Sequence, residues 1–328
     1  MFTDVPLDRL DAVSGSVRPP EDYEEFWRAR LAGAHAAWQE PVATRVDTGV
    51  RTLETWDVRF SGFGGDPINA WLKLPSGASG SIPVIVEYAG YGGGRALPTE
   101  NLLWASCGFA HLVMDTRGQG SEWSHGSTPD PHGSGPRFPG MLTAGVTDPA
   151  GYYYTRLAVD GVMALRAVRR LAPLEAGPVV TFGHSQGGWL ALVAGALAAW
   201  APEPLEVAAC IAEAPFLCDV LRAVGLTDAH PYREIVQYLA VHRDAVDVVG
   251  RTLSYVDAVC AAPHVTAPCY LSAGGMDTVC PPSTVAAAAN ALGGDHLLEV
   301  WRYNGHEAGG PFDTARELEF LADVGVRP

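Results

Sequence analysis

Six short segments of this chain are almost continuously apolar, and stretches with a helical pattern separate them. The apolar segments occupy residues 83–89, 109–115, 178–183, 207–214, 268–274 and 297–303. Solid apolar runs of this length are typical of strands that are buried on both faces of a parallel sheet. Their alternation with helices predicts a doubly wound α/β sheet. In such a sheet the ligand binds beyond the carboxyl ends of the strands, so we expect functional residues directly after these segments.

Two further segments, 52–60 and 68–75, alternate apolar and polar residues around a Gly/Asp turn, which predicts an antiparallel pair at one edge of the sheet. We therefore expect an α/β fold with a central, mostly parallel sheet of about eight strands, flanked by helices. The helices are predicted at about 21–36, 97–106, 153–171, 186–200, 282–292 and 313–323.

Two segments do not fit the alternation. Residues 116–152 are rich in Gly, Pro, Ser and His and are predicted to form a long loop, and residues 215–262 are predicted to form a helical insertion between two strands. Long insertions at the ligand edge of a sheet shape pockets or oligomer contacts. The sequence has no internal repeat and no linker, so we expect residues 1–328 to form a single domain with an N-terminal helical extension over about 1–40.

The chain is acidic, with 22 Lys and Arg against 37 Asp and Glu and a formal charge of −15. Such a surface repels phosphate backbones and anionic lipids, so we expect neither nucleic acid nor a membrane as a partner. The longest uncharged, largely apolar run, residues 187–201, is too short to span a bilayer, and the N-terminus lacks the pattern of an export signal. We therefore expect a cytoplasmic protein. The six cysteines lack metal-ligand spacing, so we expect buried free thiols and no bound metal.

The segment Gly183-His184-Ser185-Gln186-Gly187 stands between a predicted strand and a long apolar helix. A G-x-S-x-G pattern in this context is the nucleophile elbow of α/β-hydrolases. The elbow exposes the serine hydroxyl at a helix N-terminus, which favours negative charge. The pattern therefore predicts Ser185 as a nucleophile, the alternative being a serine that caps an ordinary turn. We expect the His184 side chain not to face the partner of Ser185.

A serine hydroxyl is a weak nucleophile and needs a base, which an acid orients. In α/β-hydrolases the chain order is Ser, then Asp or Glu, then His. Asp277 and His306 follow Ser185 in that order, each directly after a predicted strand. We therefore predict Ser185, Asp277 and His306 as a catalytic triad. The alternatives are a helix N-terminal acid for Asp277 and an ordinary loop histidine for His306.

An oxyanion intermediate needs hydrogen-bond donors. The backbone N–H of Gln186 is one candidate, and Tyr91, in a glycine-rich loop after an early strand, is the second, unless that loop is a plain glycine turn. In the loop after residue 115, we expect Arg117 to form a structural ion pair, the alternative being a contact with substrate. Trp123 either stacks on a sugar ring or simply packs. We place Trp123, Pro231 and Val279 beside Tyr91 in the substrate pocket.

These motifs resemble those of carbohydrate esterase family 7, the acetyl xylan esterases and cephalosporin C deacetylases. The residues that carry the resemblance are Arg117-Gly118-Gln119, the elbow at 183–187 and the pair His306-Glu307, with similar stretches along nearly the whole chain. The resemblance implies the α/β-hydrolase fold, the triad and oxyanion donors already predicted, and a doughnut-shaped homohexamer whose active sites face an internal cavity. Two positions depart from the family pattern: His184 stands where relatives often have Gly, and Glu213 replaces a common Asp.

The expected function is a serine esterase that removes acetyl groups from small esters, including acetylated xylo-oligosaccharides and cephalosporin C, without a metal or organic cofactor. Three alternatives remain. A serine peptidase of the same fold usually carries a large extra domain, for which 328 residues leave no room. A binding protein of this fold typically lacks a triad member. A broader carboxylesterase or a lipase would accept longer acyl chains.

Overall fold

The computed structural model describes residues 4–132, 135–137 and 139–328, and these residues contain a nine-stranded sheet with helices on both faces. The strands are β1 Val42–Val46, β2 Leu53–Ser61, β3 Pro67–Pro75, β4 Ser81–Tyr88, β5 Ala110–Met114, β6 Glu175–His184, β7 Ala209–Glu213, β8 Cys269–Gly274 and β9 His296–Trp301. Their spatial order is β1-β2-β3-β5-β4-β6-β7-β8-β9. In this order, the first three neighbouring pairs, β1-β2, β2-β3 and β3-β5, are antiparallel. The remaining pairs, β5-β4, β4-β6, β6-β7, β7-β8 and β8-β9, are parallel. The predicted mostly parallel α/β sheet is confirmed.

The sheet has one strand more than the sequence predicted. The additional strand, β1, is only five residues long and pairs with β2 alone at the edge of the sheet. Most of its residues are exposed or half-buried. Because an exposed edge strand need not be apolar on either face, β1 has neither the solid apolar run nor the clear alternation that marks the other strands.

The α-helices of the described residues are α1 Tyr23–Ala36, α2 Leu103–Ser106, α3 Tyr153–Val168, α4 Gln186–Leu197, α5 Val220–Leu226, α6 Tyr232–Val241, α7 Val246–Val256, α8 Ala258–Ala261, α9 Pro282–Ala289 and α10 Pro311–Asp323. The predicted helix over 97–106 is wrong in its first part, since only α2 forms. Within that range Asn101 has a φ value of 51°, which a right-handed helix does not permit. No described helix combines the length and apolar character that crossing a bilayer requires.

Two apolar layers hold the sheet between its helices. On one face, α3 and α4 are buried along almost their entire length, and α4 packs on β4, β6 and β7. On the other face, Trp104, Phe109 and Leu321 form a smaller cluster with side chains from the central strands. Burial on both faces explains why the central strands are continuously apolar in sequence.

The carboxyl ends of the parallel strands lie together at one end of the sheet. The elbow joins β6 to α4 there, and the loops after β4, β5, β8 and β9 leave the sheet at the same end. The helices α5, α6, α7 and α8 lie between β7 and β8, where the sequence predicted a helical insertion at 215–262.

Candidate active site

Ser185 lies in a strained turn directly between β6 and α4. Its φ of 57° and ψ of −117° fall in a region that residues with a side chain rarely adopt. Two glycines make the turn sterically possible, because a Cβ on Gly183 would overlap the Gly187 backbone and a Cβ on Gly187 would overlap the Tyr88 carbonyl. The Ser185 N–H donates to the Glu213 carbonyl at 2.8 Å, which holds the turn against the end of β7. The surrounding strands therefore maintain the strained conformation of the serine.

The structure brings the side chains of Ser185, His306 and Asp277 together. His306 Nε2 lies 3.0 Å from Ser185 Oγ, and His306 Nδ1 lies 2.8 Å from Asp277 Oδ2. Ser185 and Asp277 are 7% and 3% exposed, whereas the His306 side chain is 29% exposed. In such a hydrogen-bonded chain the imidazole can accept the hydroxyl proton, and the carboxylate stabilises the imidazolium that forms.

Asp277 also holds its own loop. Its Oδ1 accepts the backbone N–H groups of Val279 at 2.7 Å and Cys280 at 3.0 Å, just before α9. These bonds close the turn before α9 and do not cap the helix, whose N-cap is Pro281, so Asp277 is not the helix N-terminal acid that was the alternative for it. Since its two oxygens have different partners, the carboxylate is fixed with Oδ2 directed at His306.

The prediction for His184 is wrong, because its imidazole does face the base. His184 Nε2 lies 2.6 Å from the His306 carbonyl oxygen, and the two rings meet edge to face with centroids 4.8 Å apart. His184 is the last residue of β6. The side chain of His184 points to the side of the strand along which the loop after β9 passes. A carbonyl oxygen only accepts, so Nε2 carries the donated proton. Burial and the neighbouring His306 lower the pKa of His184, which favours its neutral form.

Gln186 is the first residue of α4, so its backbone N–H has no acceptor within the helix. The helix dipole also favours negative charge at this end. The Gln186 side chain is held in place, since its Oε1 accepts from Tyr154 Oη at 2.9 Å and from Gln119 Nε2 at 3.0 Å. The backbone N–H next to Ser185 is therefore in a suitable place for an oxyanion donor.

The loop after β4 brings Tyr91 to the same site. A Cβ built on Gly90 would lie 4.0 Å from the Ser185 Cβ, which shows how closely this loop approaches the elbow. The Tyr91 hydroxyl donates to Glu234 Oε1 at 2.5 Å and accepts from the Met141 N–H at 2.7 Å. Burial raises the pKa of Glu234 to about 7, although the Tyr91 hydrogen bond lowers it. No role was predicted for Glu234 from the sequence, where it is one of several charged residues of the insertion.

Gln119 connects the two segments that contain Tyr91 and Gln186. Its Oε1 accepts from the Gly92 N–H at 2.6 Å, while its Nε2 donates to the Gln186 side chain and to Tyr153 Oη at 2.8 Å. Gln119 stands in the Arg-Gly-Gln motif, but the sequence alone predicted no function for it. Its bridging position depends on contacts between residues far apart in sequence.

Arg117, the first residue of that motif, is fully buried below the site. Its guanidinium forms ion pairs with Asp160 at 2.5 Å, Asp66 at 3.0 Å and Asp130 at 3.2 Å. Burial opposes the charge, but the three carboxylates outweigh it and raise the pKa of Arg117. Arg117 therefore has the structural ion pairs that the sequence analysis expected.

A cavity of about 620 Å³ opens over Ser185 and His306. It is lined by Gly90, Tyr91, Glu122, Trp123, Pro139, Gly140, His184, Ser185, His230, Pro231, Glu234, Val279 and His306. All three pocket residues chosen from the sequence, Trp123, Pro231 and Val279, lie in this lining.

Trp123 forms an exposed wall of the cavity. Its Nε1 donates to the Tyr91 carbonyl at 2.6 Å, and its ring lies so close to Gly93 that a Cβ there would overlap it. Even so, 64% of the residue remains exposed. The indole is therefore fixed along one edge and presents apolar surface to solvent beside the cavity.

Glu213, a departure noted in the sequence, has its side chain outside the cavity lining. Burial, followed by the charge of Asp313, raises its pKa to about 8. Burial, with Glu213 as its main charged neighbour, also raises the pKa of Glu317 on α10. These carboxyl groups lie behind the elbow and bind protons at pH values where an exposed carboxyl group is ionised.

Among the residues that the structure describes, one group has donor atoms close enough together for a metal ion. It consists of Asp277, Cys280 and His306, whose ligand atoms lie within 4.8 Å of one another. Two of its members already bind each other in the hydrogen-bonded chain with Ser185. All six cysteines are unpaired, and all but Cys107 are buried, as the sequence predicted.

A serine in a strained turn after β6, an acid after β8 and a histidine after β9 are brought together at the carboxyl end of a mostly parallel sheet. This fold and site define the class of α/β-hydrolases. A family model described as acetyl xylan esterase (AXE1) matches residues 1–324. The chain belongs to the acetyl xylan esterase family, which places it among the carboxylic ester hydrolases.

Individual proteins agree with this assignment. The solved acetyl xylan esterase from Paenibacillus sp. R4 is 33% identical, with a TM-score of 0.90 over 97% of this chain and 99% of its own. Acetyl xylan esterase 1 from Thermoanaerobacterium sp. JW/SL YS485 is 27% identical, with a TM-score of 0.88 over 98% of this chain and 99% of its own.

A curated relative, the acetyl esterase Axe7A of Xylanibacter ruminicola, is 28% identical over 274 residues, which are 81% of this chain. The chain spans 58% of the length of that relative. The acylaminoacyl peptidase of Pyrococcus horikoshii is only 18% identical, with a TM-score of 0.57 over 84% of this chain and 42% of its own. That likeness shows the fold alone.

Proposed function

We propose that this protein is a serine esterase that removes acetyl groups from small esters through an acetyl-enzyme intermediate. The observation that carries the proposal is the hydrogen-bonded chain from Asp277 through His306 to Ser185 at the base of an open cavity. The acetyl esterase names of the family relatives support the choice of acyl group.

In the proposed acylation step, His306 Nε2 takes the proton of Ser185 Oγ as this oxygen attacks the acetyl carbonyl carbon. The backbone N–H groups of Gln186 and Tyr91 donate to the oxyanion, and Asp277 stabilises the imidazolium. His306 then gives its proton to the departing alcohol oxygen, which breaks the ester C–O bond.

In the proposed deacylation step, His306 removes a proton from water, and the hydroxide attacks the acetyl carbon. The Ser185 oxygen leaves and recovers its proton from His306, which releases acetate. The balance of atoms and charge needs only the ester and water, so the mechanism requires neither a metal nor an organic cofactor.

The proposed substrates are acetylated xylo-oligosaccharides and cephalosporin C. Tyr91, Pro231 and Val279 would enclose the short acyl group, and the remainder of the cavity would hold the alcohol. The exposed indole of Trp123 favours a sugar as the alcohol part of the substrate, because the apolar face of a sugar ring stacks on aromatic surfaces. The acetyl xylan esterase names of the structural relatives support the xylo-oligosaccharide proposal.

The assembly and location are also proposals. We propose a single catalytic domain that assembles into a homohexamer in the cytoplasm. Exposed apolar side chains on α5, α6 and α7, including Leu221, Val241 and Val246, support self-association through the insertion. The six unpaired cysteines support a reducing compartment. Light scattering coupled to size-exclusion chromatography tests the hexamer, because a monomer would contradict it.

Acetate release from acetylated xylo-oligosaccharides, with Ser185→Ala as the control, tests the proposed activity. Mass spectrometry after rapid acid quenching should find an acetyl group on the peptide that contains Ser185. The alternative proposal is a broader carboxylesterase, favoured if longer acyl esters react equally well. A serine peptidase is the second alternative, and hydrolysis of acyl-peptide substrates in preference to acetyl esters would support it.

A further inference from the structure

We propose that His184 is a positioning residue that holds the backbone of His306 and thereby sets the position of the His306 imidazole relative to Ser185. The inference rests on the proposed function, because it assigns the role of a residue in that reaction. It begins from the bond between His184 Nε2 and the His306 carbonyl, which spans 122 positions of sequence.

The donor side of this bond belongs to the rigid end of the sheet. His184 is paired with Glu213 of β7, and the adjacent Ser185 N–H donates to the Glu213 carbonyl. His184 and Ser185 therefore move together. A bond from His184 to the His306 backbone fixes the base against the same framework that carries the nucleophile.

The acceptor side lies in the connection between β9 and α10. Asp313 Oδ2 accepts the Gly309 N–H at 2.7 Å, and the Met276 N–H donates to the Asn304 carbonyl at 2.9 Å. These contacts hold the connection on either side of His306. The His184 bond acts at residue 306 itself, where a small displacement changes the 3.0 Å distance to Ser185 Oγ directly.

The chemistry of an imidazole suits this task. A neutral ring donates from Nε2 without adding charge, and a second positive charge 4.8 Å away would oppose the imidazolium that His306 forms during the reaction. The ionisable groups acting on His184 are His306, which lowers its pKa, and Asp277 and Asp313, which raise it. Burial is the largest influence and lowers the pKa, so the neutral donor is favoured.

Two variants separate the hydrogen bond from the packing of the ring. His184→Phe keeps a planar ring but removes the donor, whereas His184→Gln keeps an N–H group at about the same reach. On p-nitrophenyl acetate we expect His184→Phe to lower kcat by about ten- to a hundredfold with KM within about twofold, because a misplaced base affects the chemical step. We expect His184→Gln to recover most of the lost kcat.

His264→Phe is the matched control, because His264 packs its ring on Trp200 and precedes β8 at the opposite end of the sheet. It should keep kcat within about twofold of wild type. Circular dichroism and thermal unfolding check that each variant folds. A His184→Phe variant with wild-type kcat, or a His184→Gln variant no better than His184→Phe, would overturn the inference.

If His184→Phe does not fold, His184→Ala with and without added imidazole replaces it. The enzyme-free rate with imidazole is subtracted, because imidazole itself hydrolyses p-nitrophenyl acetate. A corrected kcat that rises with imidazole in His184→Ala but not in wild type supports the inference, and a corrected kcat that is unchanged by it contradicts the inference. The two failures are distinguishable, because the proposed function fails only if the wild type has no esterase activity or if Ser185→Ala retains it.

Discussion

Gln119 Nε2 donates to Gln186 Oε1 over 3.0 Å and so joins the loop after β5 to the first residue of α4. The other end of the same amide accepts the N–H of Gly92, which follows Tyr91 in the chain. The two backbone groups that we propose as oxyanion donors therefore lie in segments that one side chain links. Their spacing depends on this amide because both of its polar atoms are used.

The first prediction concerns this bridge. Gln119→Met keeps the length of the side chain but removes all three of its hydrogen bonds, so the oxyanion donors lose their fixed spacing. We expect kcat on p-nitrophenyl acetate to fall by about ten- to a hundredfold, part of the loss that follows removal of a complete oxyanion donor. Steady-state kinetics measure the effect, and Gln39→Met, on the exposed surface, is the control. An unchanged kcat in Gln119→Met would contradict the prediction.

The second prediction concerns the proton on His306. In Asp277→Asn, the N–H groups of Val279 and Cys280 hold the amide oxygen, so the amide NH₂ faces His306 Nδ1. The proton of the neutral imidazole is then forced onto Nε2, which can no longer accept the Ser185 proton. We expect kcat to fall by about 10³- to 10⁴-fold with little change in the unfolding temperature. Asp295→Asn, which changes an exposed acid, should remain active, and Asp277→Asn with more than a tenth of wild-type activity would refute the assignment.

The third prediction concerns acyl length. Tyr91 is fixed by Glu234 and Met141, so the wall next to Ser185 does not yield easily to a longer chain. An overpacked acyl chain should cost about 1–3 kcal/mol, which is roughly 5- to 160-fold in kcat/KM. We expect p-nitrophenyl acetate to be preferred over the butyrate and octanoate esters. In Val279→Ala, the ratio of kcat/KM for the butyrate ester to kcat/KM for the acetate ester should rise. A wild-type protein that prefers the octanoate ester would support a lipase-like esterase instead.

The fourth prediction concerns stability and pH. Burial raises the pKa of Glu213 to about 8, so in the folded state this group keeps a proton that the unfolded chain loses near the ordinary value of 4.5. Its contribution to the free energy of unfolding is therefore fully present below pH 4.5 and decreases as the pH rises to about 8. Glu213→Gln stays neutral at every pH, so its free energy of unfolding relative to wild type should be higher at pH 8.5 than at pH 5. Urea denaturation of both proteins at the two pH values measures this change.

The control for this comparison is Glu319→Gln, because Glu319 is an exposed residue of α10. Its stability difference from wild type should be nearly the same at both pH values. If the difference between Glu213→Gln and wild type is equally independent of pH, the carboxyl group of Glu213 is ionised in the folded state and the prediction is wrong.

The fifth prediction concerns metals. The proposed reaction uses three side chains, those of Ser185, His306 and Asp277, and two backbone N–H groups, so prolonged treatment with excess chelator should leave kcat and KM unchanged. The assay needs a metal-dependent esterase in parallel to show that the chelator is effective. Loss of activity that zinc restores would show instead that a metal is needed for activity, and Asp277, Cys280 and His306 would be its candidate ligands.

The sequence predicted much of the fold because the buried strands of a parallel sheet are continuously apolar and short. This signal failed where the strand was not buried, as in β1. It also failed ahead of α2, where the positive φ value of Asn101 interrupts what the sequence suggested was a helix. Exposed edges and local backbone conformation leave weaker patterns than burial does.

The site residues were predictable to the extent that their role depends on a position in the fold. Ser185 stands in a five-residue motif, and Asp277 and His306 directly follow apolar strands, so the meeting of strand ends predicts their approach. Gln119 and Glu234 had no comparable signal. Both act through contacts with loops far away in sequence, and a polar residue in a loop looks the same whether it faces solvent or such a partner.

His184 shows most clearly the difference between what local sequence determines and what the tertiary structure decides. Local sequence determined the elbow itself, because only a G-x-S-x-G turn between a strand and a helix accommodates the backbone at Ser185. The partner of the His184 side chain depends on the tertiary structure, because the loop after β9, more than a hundred residues away in sequence, lies at the same end of the sheet. Apolar patterning therefore determined the strands and the nucleophile turn, whereas the tertiary structure decided which polar side chains meet, because hydrogen bonds between distant segments form only after the sheet has brought those segments together.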